Sequence, residues 1–145
     1  MAEIYFHTSP GDADLVPQKQ HESDAAYDLR SARDLVIAPG QFIAVPTGVR
    51  LEMPQGFAAQ VRPRSGLALR HGVTVLNSPG TIDAGYRGEV CAILINHGTT
   101  PFEIRRGDRI AQLLFEQLPQ VDLHSRDALS GSDRGECGFG STGRQ

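Results

Sequence analysis

The chain has 145 residues, with 14 Lys and Arg against 17 Asp and Glu and a formal net charge of −3 at neutral pH. That length suits one domain with a real core and is too short for two, and the mild acidity speaks against a general affinity for nucleic acid or anionic membranes. No apolar run approaches the ~20 residues that cross a bilayer, and Met1–His7 lacks the basic-then-apolar layout of a signal peptide.

Cys91 lies in an apolar run and Cys137 in a glycine-rich tail. Such different settings argue against a structural disulfide, so a reducing, cytoplasmic location is expected. Nine prolines and sixteen glycines break the chain so often that long helices find no room, whereas short strands do. In chain order, Ala25–Ala32 sets Asp28 among small and apolar residues, where a lone carboxylate is costly without a partner. A buried ion pair and a metal-linked role would both account for it. Phe42–Val45 and Gly48–Leu51 are two apolar stretches flanking Pro46. Phe57, Ala59 and Val61 alternate with Ala58, Gln60 and Arg62, the period of a half-buried strand.

Ser65 is placed to cap a short helix running to Arg70, which Gly72 ends. The free N–H groups of such a helix start, with donors from Arg64 and Ser65, also suit a phosphate. Val73–Leu76 is short and β-branched, and Val90–Ile95 is apolar throughout, as in a strand buried on both faces. Arg109–Phe115 follows a Gly-Asp turn and reads as a further strand. The tripeptide Arg106-Gly107-Asp108 is read as that turn and not as an adhesion motif. Many short strands joined by Gly/Pro turns predict an all-β sandwich or barrel of the jelly-roll kind.

Two glycine-rich stretches carry the chemistry. Asn77–Glu89 puts one carboxylate, Asp83, in a turn built for close backbone approach. Arg134–Gly143 has the letters of a dinucleotide-binding loop, but only two residues follow Gly143, so the helix that such a loop needs is missing. What remains is either a bare tail or an arm with phosphate-binding parts. In the second case Arg134 pairs with a phosphate, Phe139 stacks on a base, and Ser141 and Thr142 donate hydroxyls. His7, His21, His71, His97 and His124 are scattered and form no zinc-binding pattern.

Taken together, the segments around Asp28, Arg64–Gly66, Asn77–Glu89, Gln112 and Arg134–Gly143 resemble the five ordered motifs of the trimeric dUTP pyrophosphatases (dUTPases). The resemblance runs from about Ala25 to Arg144. It implies a distorted jelly-roll-like β-barrel over residues 1–121, with one short helix. Residues 122–145 would be a flexible linker and C-terminal arm. It further implies a homotrimer with active sites at subunit interfaces. One subunit would give the Asp28, Ser65 and Gln112 motifs, a second the Asn77–Glu89 hairpin, and a third its arm.

The chemistry so implied is hydrolysis of dUTP to dUMP and pyrophosphate, which limits uracil incorporation into DNA and supplies dUMP for thymidylate synthesis. Asp83 would deprotonate a water for in-line attack on the α-phosphorus. Mg²⁺ would bridge the phosphates, with Asp28 holding it through water. Arg64, Ser65, Gly66 and Gln112 would bind the α- and β-phosphates, and Arg134, Phe139, Gly140, Ser141 and Thr142 would close over the nucleotide. Asn77, Thr81, Ile82, Asp83 and the backbone of Cys91 would line the uracil pocket, with Tyr86 beneath the deoxyribose, refusing a 2′-hydroxyl. Cys137 and Gly85 depart from the commonest family pattern without replacing a catalytic group. A dCTP deaminase shares the fold but needs a different pocket, and a non-enzymatic regulator on this scaffold would not need Asp83 and the arm.

Overall fold

The computed structural model describes residues 2–139. In chain order it contains β1 (Tyr5–Thr8), a 3-10 turn (Ala13–Leu15), β2 (Tyr27–Arg30), β3 (Leu35–Ile37), β4 (Phe42–Glu52), β5 (Phe57–Arg62), α1 (Ser65–His71), β6 (Val73–Val75), β7 (Gly80–Asp83), β8 (Glu89–Asn96), β9 (Phe102–Ile104) and β10 (Arg109–Gln117). Two four-stranded sheets, ordered β1-β4-β8-β6 and β2-β10-β5-β7, are accompanied by the ribbon β3-β9. The strand pairs are antiparallel. This is the predicted all-β, jelly-roll-like architecture with one short helix. Among the described residues no helix is long and apolar enough to cross a membrane.

Period-2 alternation builds the core. Val45, Val49 and Leu51 of β4 and Val90, Ala92 and Leu94 of β8 meet Leu29, Ala59, Val61, Ile110 and Leu113 of the other sheet. All are nearly or wholly excluded from solvent.

Three local readings are completed or corrected. The stretches either side of Pro46 are one strand, interrupted by a bulge between Pro46 and Arg50. The missing proline N–H is tolerated because β1 pairs only with Val49–Glu52, so Pro46 has a neighbour on one side alone. Ser65 is not the helix cap. Arg64 holds that position in extended conformation, its side chain makes no capping bond, and Ser65 is the first helical residue. Gly72 ends the helix as expected, left-handed at φ 66°. Third, β8 is buried on one face only. Val90, Ala92 and Leu94 point inward, whereas Cys91 is exposed and Ile93 and Ile95 are half-buried. Its apolar outer face, continued by Phe42, Ala44 and Pro46 on β4, is uncovered in the single chain.

Asn96 locks the ribbon to the end of β8. Fully buried, it donates to the carbonyls of Ile37 (2.9 Å) and Thr100 (2.8 Å) and accepts from the Gly98 N–H (2.8 Å). We expect Asn96→Leu to cost roughly 2–4 kcal/mol, because it strands several buried backbone groups. The readout is a lower urea midpoint at unchanged slope; a wild-type midpoint would remove Asn96 from this role.

Candidate active site

The site residues fall into two clusters. In the first, β2 carries Asp28, whose side chain is 6% exposed. Its Oδ2 lies 3.2 Å from Arg109 Nη1 on β10, and its Oδ1 lies 3.8 Å from Arg64 Nε. Arg64 also donates to the Arg109 carbonyl at 2.7 Å. Of the two readings of Asp28, the buried ion pair is therefore observed. Gln112 sits on β10 directly between Asp28 of β2 and Arg62 of β5. Burial, then the neighbouring Arg109 charge, lowers the Arg64 pKa from its ordinary value, with Asp28 opposing. Ser65 and Gly66 follow at the first turn of α1. There the N–H groups of Leu67 and Ala68 both turn to the Arg64 carbonyl at 3.1 Å, so the two residues before them keep theirs free of helical bonds. The cluster is thus a set of directed donors whose charge is partly neutralised by one carboxylate. It suits phosphate oxygens.

The second cluster is the β7–β8 hairpin. Thr81, Ile82, Asp83, Tyr86, Cys91 and Ile93 line a cleft of ≈ 290 Å³. Asp83 is exposed at the end of β7. Tyr86 donates to the Glu89 carbonyl at 3.0 Å, and its ring lies where a side chain at position 88 would stand, so a larger residue there would push the exposed ring aside. Arg87 grips the carbonyls of Ala84 (2.7 Å) and Tyr86 (3.2 Å). Asn77, just before β7, approaches Gly80 closely, with its Nδ2 3.3 Å from where a Cβ would be. Burial, and secondarily the Glu89 charge, raises the Cys91 thiol pKa. A larger cavity of ≈ 450 Å³, lined by Tyr5, Phe6, Tyr27, Leu113 and Phe115 among others, lies elsewhere and lacks a converging set of donors.

The two clusters are apart. Asp83 pairs with Ala58 and Gln112 with Arg62, four residues along β5 and two strands across the sheet. With ~3.3 Å per residue and ~4.8 Å between strands, that is ~16 Å.

Beyond β10 the last backbone bond to the body is Leu118 N–H to the Gly56 carbonyl, 2.8 Å. Residues 120–137 are exposed. Arg134 turns back onto the Cys137 carbonyl at 2.9 Å, and Phe139 is fully exposed with φ 50°. Gly140, Ser141 and Thr142 lie outside the described residues. Arg106-Gly107-Asp108 forms the expected turn, with Arg106 held by Asp12 (2.8 Å) and Asp14 (2.9 Å). Sequence reasoning passed over Arg109. Its signal was its place three residues before Gln112, at the start of a strand that pairs with the Asp28 strand.

A donor cluster for phosphates, a cleft of nucleobase size beside a free carboxylate, and an antiparallel β-scaffold presenting both describe a nucleotide-processing protein. The family model for dUTPase matches residues 13–143. The deoxyuridine 5′-triphosphate nucleotidohydrolase of Clostridium tetani is 52% identical over 129 residues, 89% of each chain, and that of Gloeothece citriformis is 50% identical over 131 residues, 90% of each. Among solved structures, the Staphylococcus bacteriophage 80alpha dUTPase with dUPNHPP aligns at TM-score 0.88 and 26% identity, covering 97% of this chain and 98% of that one. The chain belongs to the dUTPase family.

Two outcomes follow from this geometry. Removing Arg109 leaves a buried carboxylate short of its nearer partner, whereas neutralising Asp28 leaves arginines that are 25% and 36% exposed. Arg109→Met should therefore cost about 3 kcal/mol of stability and Asp28→Asn only about 1 kcal/mol, measured by urea unfolding. Equal costs would contradict the asymmetry. The raised thiol pKa keeps Cys91 protonated at neutral pH, so in a Cys137→Ser background its alkylation should be slow there and should quicken at higher pH than for a free thiol. A rate profile matching free cysteine would contradict this.

Proposed function

We propose that this protein hydrolyses dUTP to dUMP and pyrophosphate at sites where the hairpin of one copy meets the phosphate cluster of another. What supports the shared site is the separation of Asp83 from Gln112, four residues along β5 and two strands across the sheet, or ~16 Å at ideal strand spacing. A general base works within hydrogen-bond reach of the proton that it takes. The uncovered apolar face of Phe42, Ala44, Pro46, Ile93 and Ile95 supports self-association, and a homotrimer is the assembly that agrees with the family.

In this reading the uracil ring enters the hairpin cleft, where the backbone of Thr81–Asp83 and of Cys91 pairs with its polar edge, with Asn77 at the hairpin base. Cytosine offers the opposite donor pattern there and is rejected. Tyr86 packs under the deoxyribose. Asp83 takes a proton from the water that attacks the α-phosphorus. Arg64, Gln112 and the N–H groups of Ser65 and Gly66 hold the α- and β-phosphates in line. Arg134, Phe139, Gly140, Ser141 and Thr142 of a third copy close over the nucleotide, excluding water.

Among the described residues no group of three or more His, Cys, Asp or Glu could cage a metal. Asp28 is the carboxylate that the family resemblance offers an ion, and since both of its oxygens face arginines, a hard ion would arrive on the phosphates and reach it only through water. Mg²⁺ is such an ion, and when bound it would neutralise phosphate charge. Both cysteines are free thiols, which supports a reducing, cytoplasmic setting.

The test is pyrophosphate release with Mg²⁺ from dUTP, dCTP, dTTP and UTP in parallel. Release from dUTP alone is expected. Asp83→Asn should lower kcat by about 10²–10⁴, the usual worth of a general base, with KM little changed. Near wild-type release would remove Asp83 from the role. Ammonia from dCTP would move the chain to deamination. A monomer by sedimentation with full activity would overturn the shared site.

A further inference from the structure

The hairpin that carries Asp83 and Tyr86 is braced from behind by the bulge of β4. From Pro46 to Arg50, β4 advances four residues while its partner β8 retreats only two, from Cys91 to Glu89. Regular ladder bonds are lost there, and three other bonds replace them. Thr47, fully buried, donates its hydroxyl to the Val90 carbonyl at 2.6 Å. The Gly48 N–H donates to Glu89 Oε1 at 2.8 Å. Arg50 Nη1 donates to the Arg87 carbonyl at 3.0 Å. Gly48 is at φ 73°, and a Cβ there would press on Leu15 Cδ1 at 2.8 Å, so the bulge needs glycine at this point.

Glu89 is the junction. Its carboxylate is fixed by the bulge, and its carbonyl receives the Tyr86 hydroxyl at 3.0 Å. Arg87, held through its own carbonyl by Arg50, in turn grips Ala84 and Tyr86. Behind these residues opens a polar cleft of ≈ 240 Å³ between Arg33, Arg50, Glu89 and Arg106. Tyr86 itself is exposed, and its hydroxyl bond to the Glu89 carbonyl ties the ring to this polar side of the hairpin.

We propose that the β4 bulge is a specificity brace, with Glu89 and Arg50 as positioning residues that hold Tyr86 at the height that admits deoxyribose and refuses ribose. This rests on the reading of Tyr86 as the residue beneath the sugar. Arg50 lies outside the hairpin cleft and Glu89 at its rim, where its carboxylate is taken by the bulge, and both act through Tyr86. A tyrosine free to tilt by a fraction of an ångström would make room for a 2′-hydroxyl while the phosphate cluster, on another part of the chain, stayed unchanged.

The experiment compares Arg50→Met, Glu89→Ala and Glu89→Gln with wild type. It measures dUMP and UMP affinity by titration calorimetry, and kcat and KM for dUTP and UTP. The dUMP-over-UMP affinity ratio should fall about tenfold in Glu89→Ala and about threefold in Arg50→Met, since a hydrogen bond to a charged group is lost in each. Glu89→Gln keeps an acceptor for the Gly48 N–H and should restore most of the ratio. Equal losses toward both nucleotides, with the ratio unchanged, would overturn the brace and leave these residues merely structural. Arg50 is exposed, so Arg50→Met decides the matter if Glu89→Ala does not fold. Wild-type protein that neither binds dUMP nor hydrolyses dUTP would sink the proposed function, and the brace with it. Wild-type activity with an unchanged ratio in the variants would sink the brace alone.

Discussion

A buried carboxylate between two arginines is the constraint on which this site depends. Asp28 is almost wholly excluded from solvent, and its two oxygens face Arg109 and Arg64 from different parts of the chain. A lone charge in that position would be costly, so its partners are obligatory and their places are fixed. The pair draws three elements together: β2, the start of β10, and the turn before α1. Arg64 in turn donates to the Arg109 carbonyl, which leaves its guanidinium little freedom. The three elements are therefore fixed relative to one another before anything binds, and donors arranged in advance need little rearrangement when a ligand arrives.

The rest of the site is built on the opposite principle. The hairpin from Gly80 to Glu89 has two buried residues in β7, Gly80 and Ile82, while Asp83 and Tyr86 are open to solvent. With so little of the hairpin buried, packing alone does not hold its outer residues. Hydrogen bonds tie the hairpin instead: Arg87, Arg50, Thr47 and Tyr86 donate to backbone carbonyls, and the Gly48 N–H donates to the Glu89 carboxylate. One chain thus carries a stiff half-site set in its core and a half-site held by polar ties at its surface, about 16 Å apart by strand spacing.

Much of this was legible in the sequence, and the gaps have physical causes. Alternation marked β5, glycine marked the end of α1, and turn chemistry explained Arg106-Gly107-Asp108, because each is a local signal. Asp28 could be recognised as needing a partner, but which partner depends on the pairing of β2 with β10, residues far apart in the chain. The same distance hid Arg109. The bulge beyond Pro46 has no local signal either, since nothing near it tells that β1 covers only the later part of β4. Ser65 looked like a cap by residue type. In fact Arg64 takes the capping position while its side chain is drawn to Asp28 and Arg109, a tertiary demand that outweighs cap preference.

Val90–Ile95 is the most instructive case. Its unbroken apolar composition called for burial on both faces, yet the chain by itself covers only one. Exposed Cys91 and half-buried Ile93 line the hairpin cleft, and Ile93 and Ile95 continue into the apolar face of β4. Composition responds to the environment in which a residue finally sits, including surfaces that another copy would cover. A strand too apolar for its own fold is thus a statement about assembly, and here it agrees with the separation of the two half-sites. The same strand that would meet a neighbour also forms one wall of the cleft, so the surface for association and the surface for recognition are continuous. On the proposed reading assembly and selectivity would be coupled, because a shift along the outer face of β8 would displace one wall of the cleft.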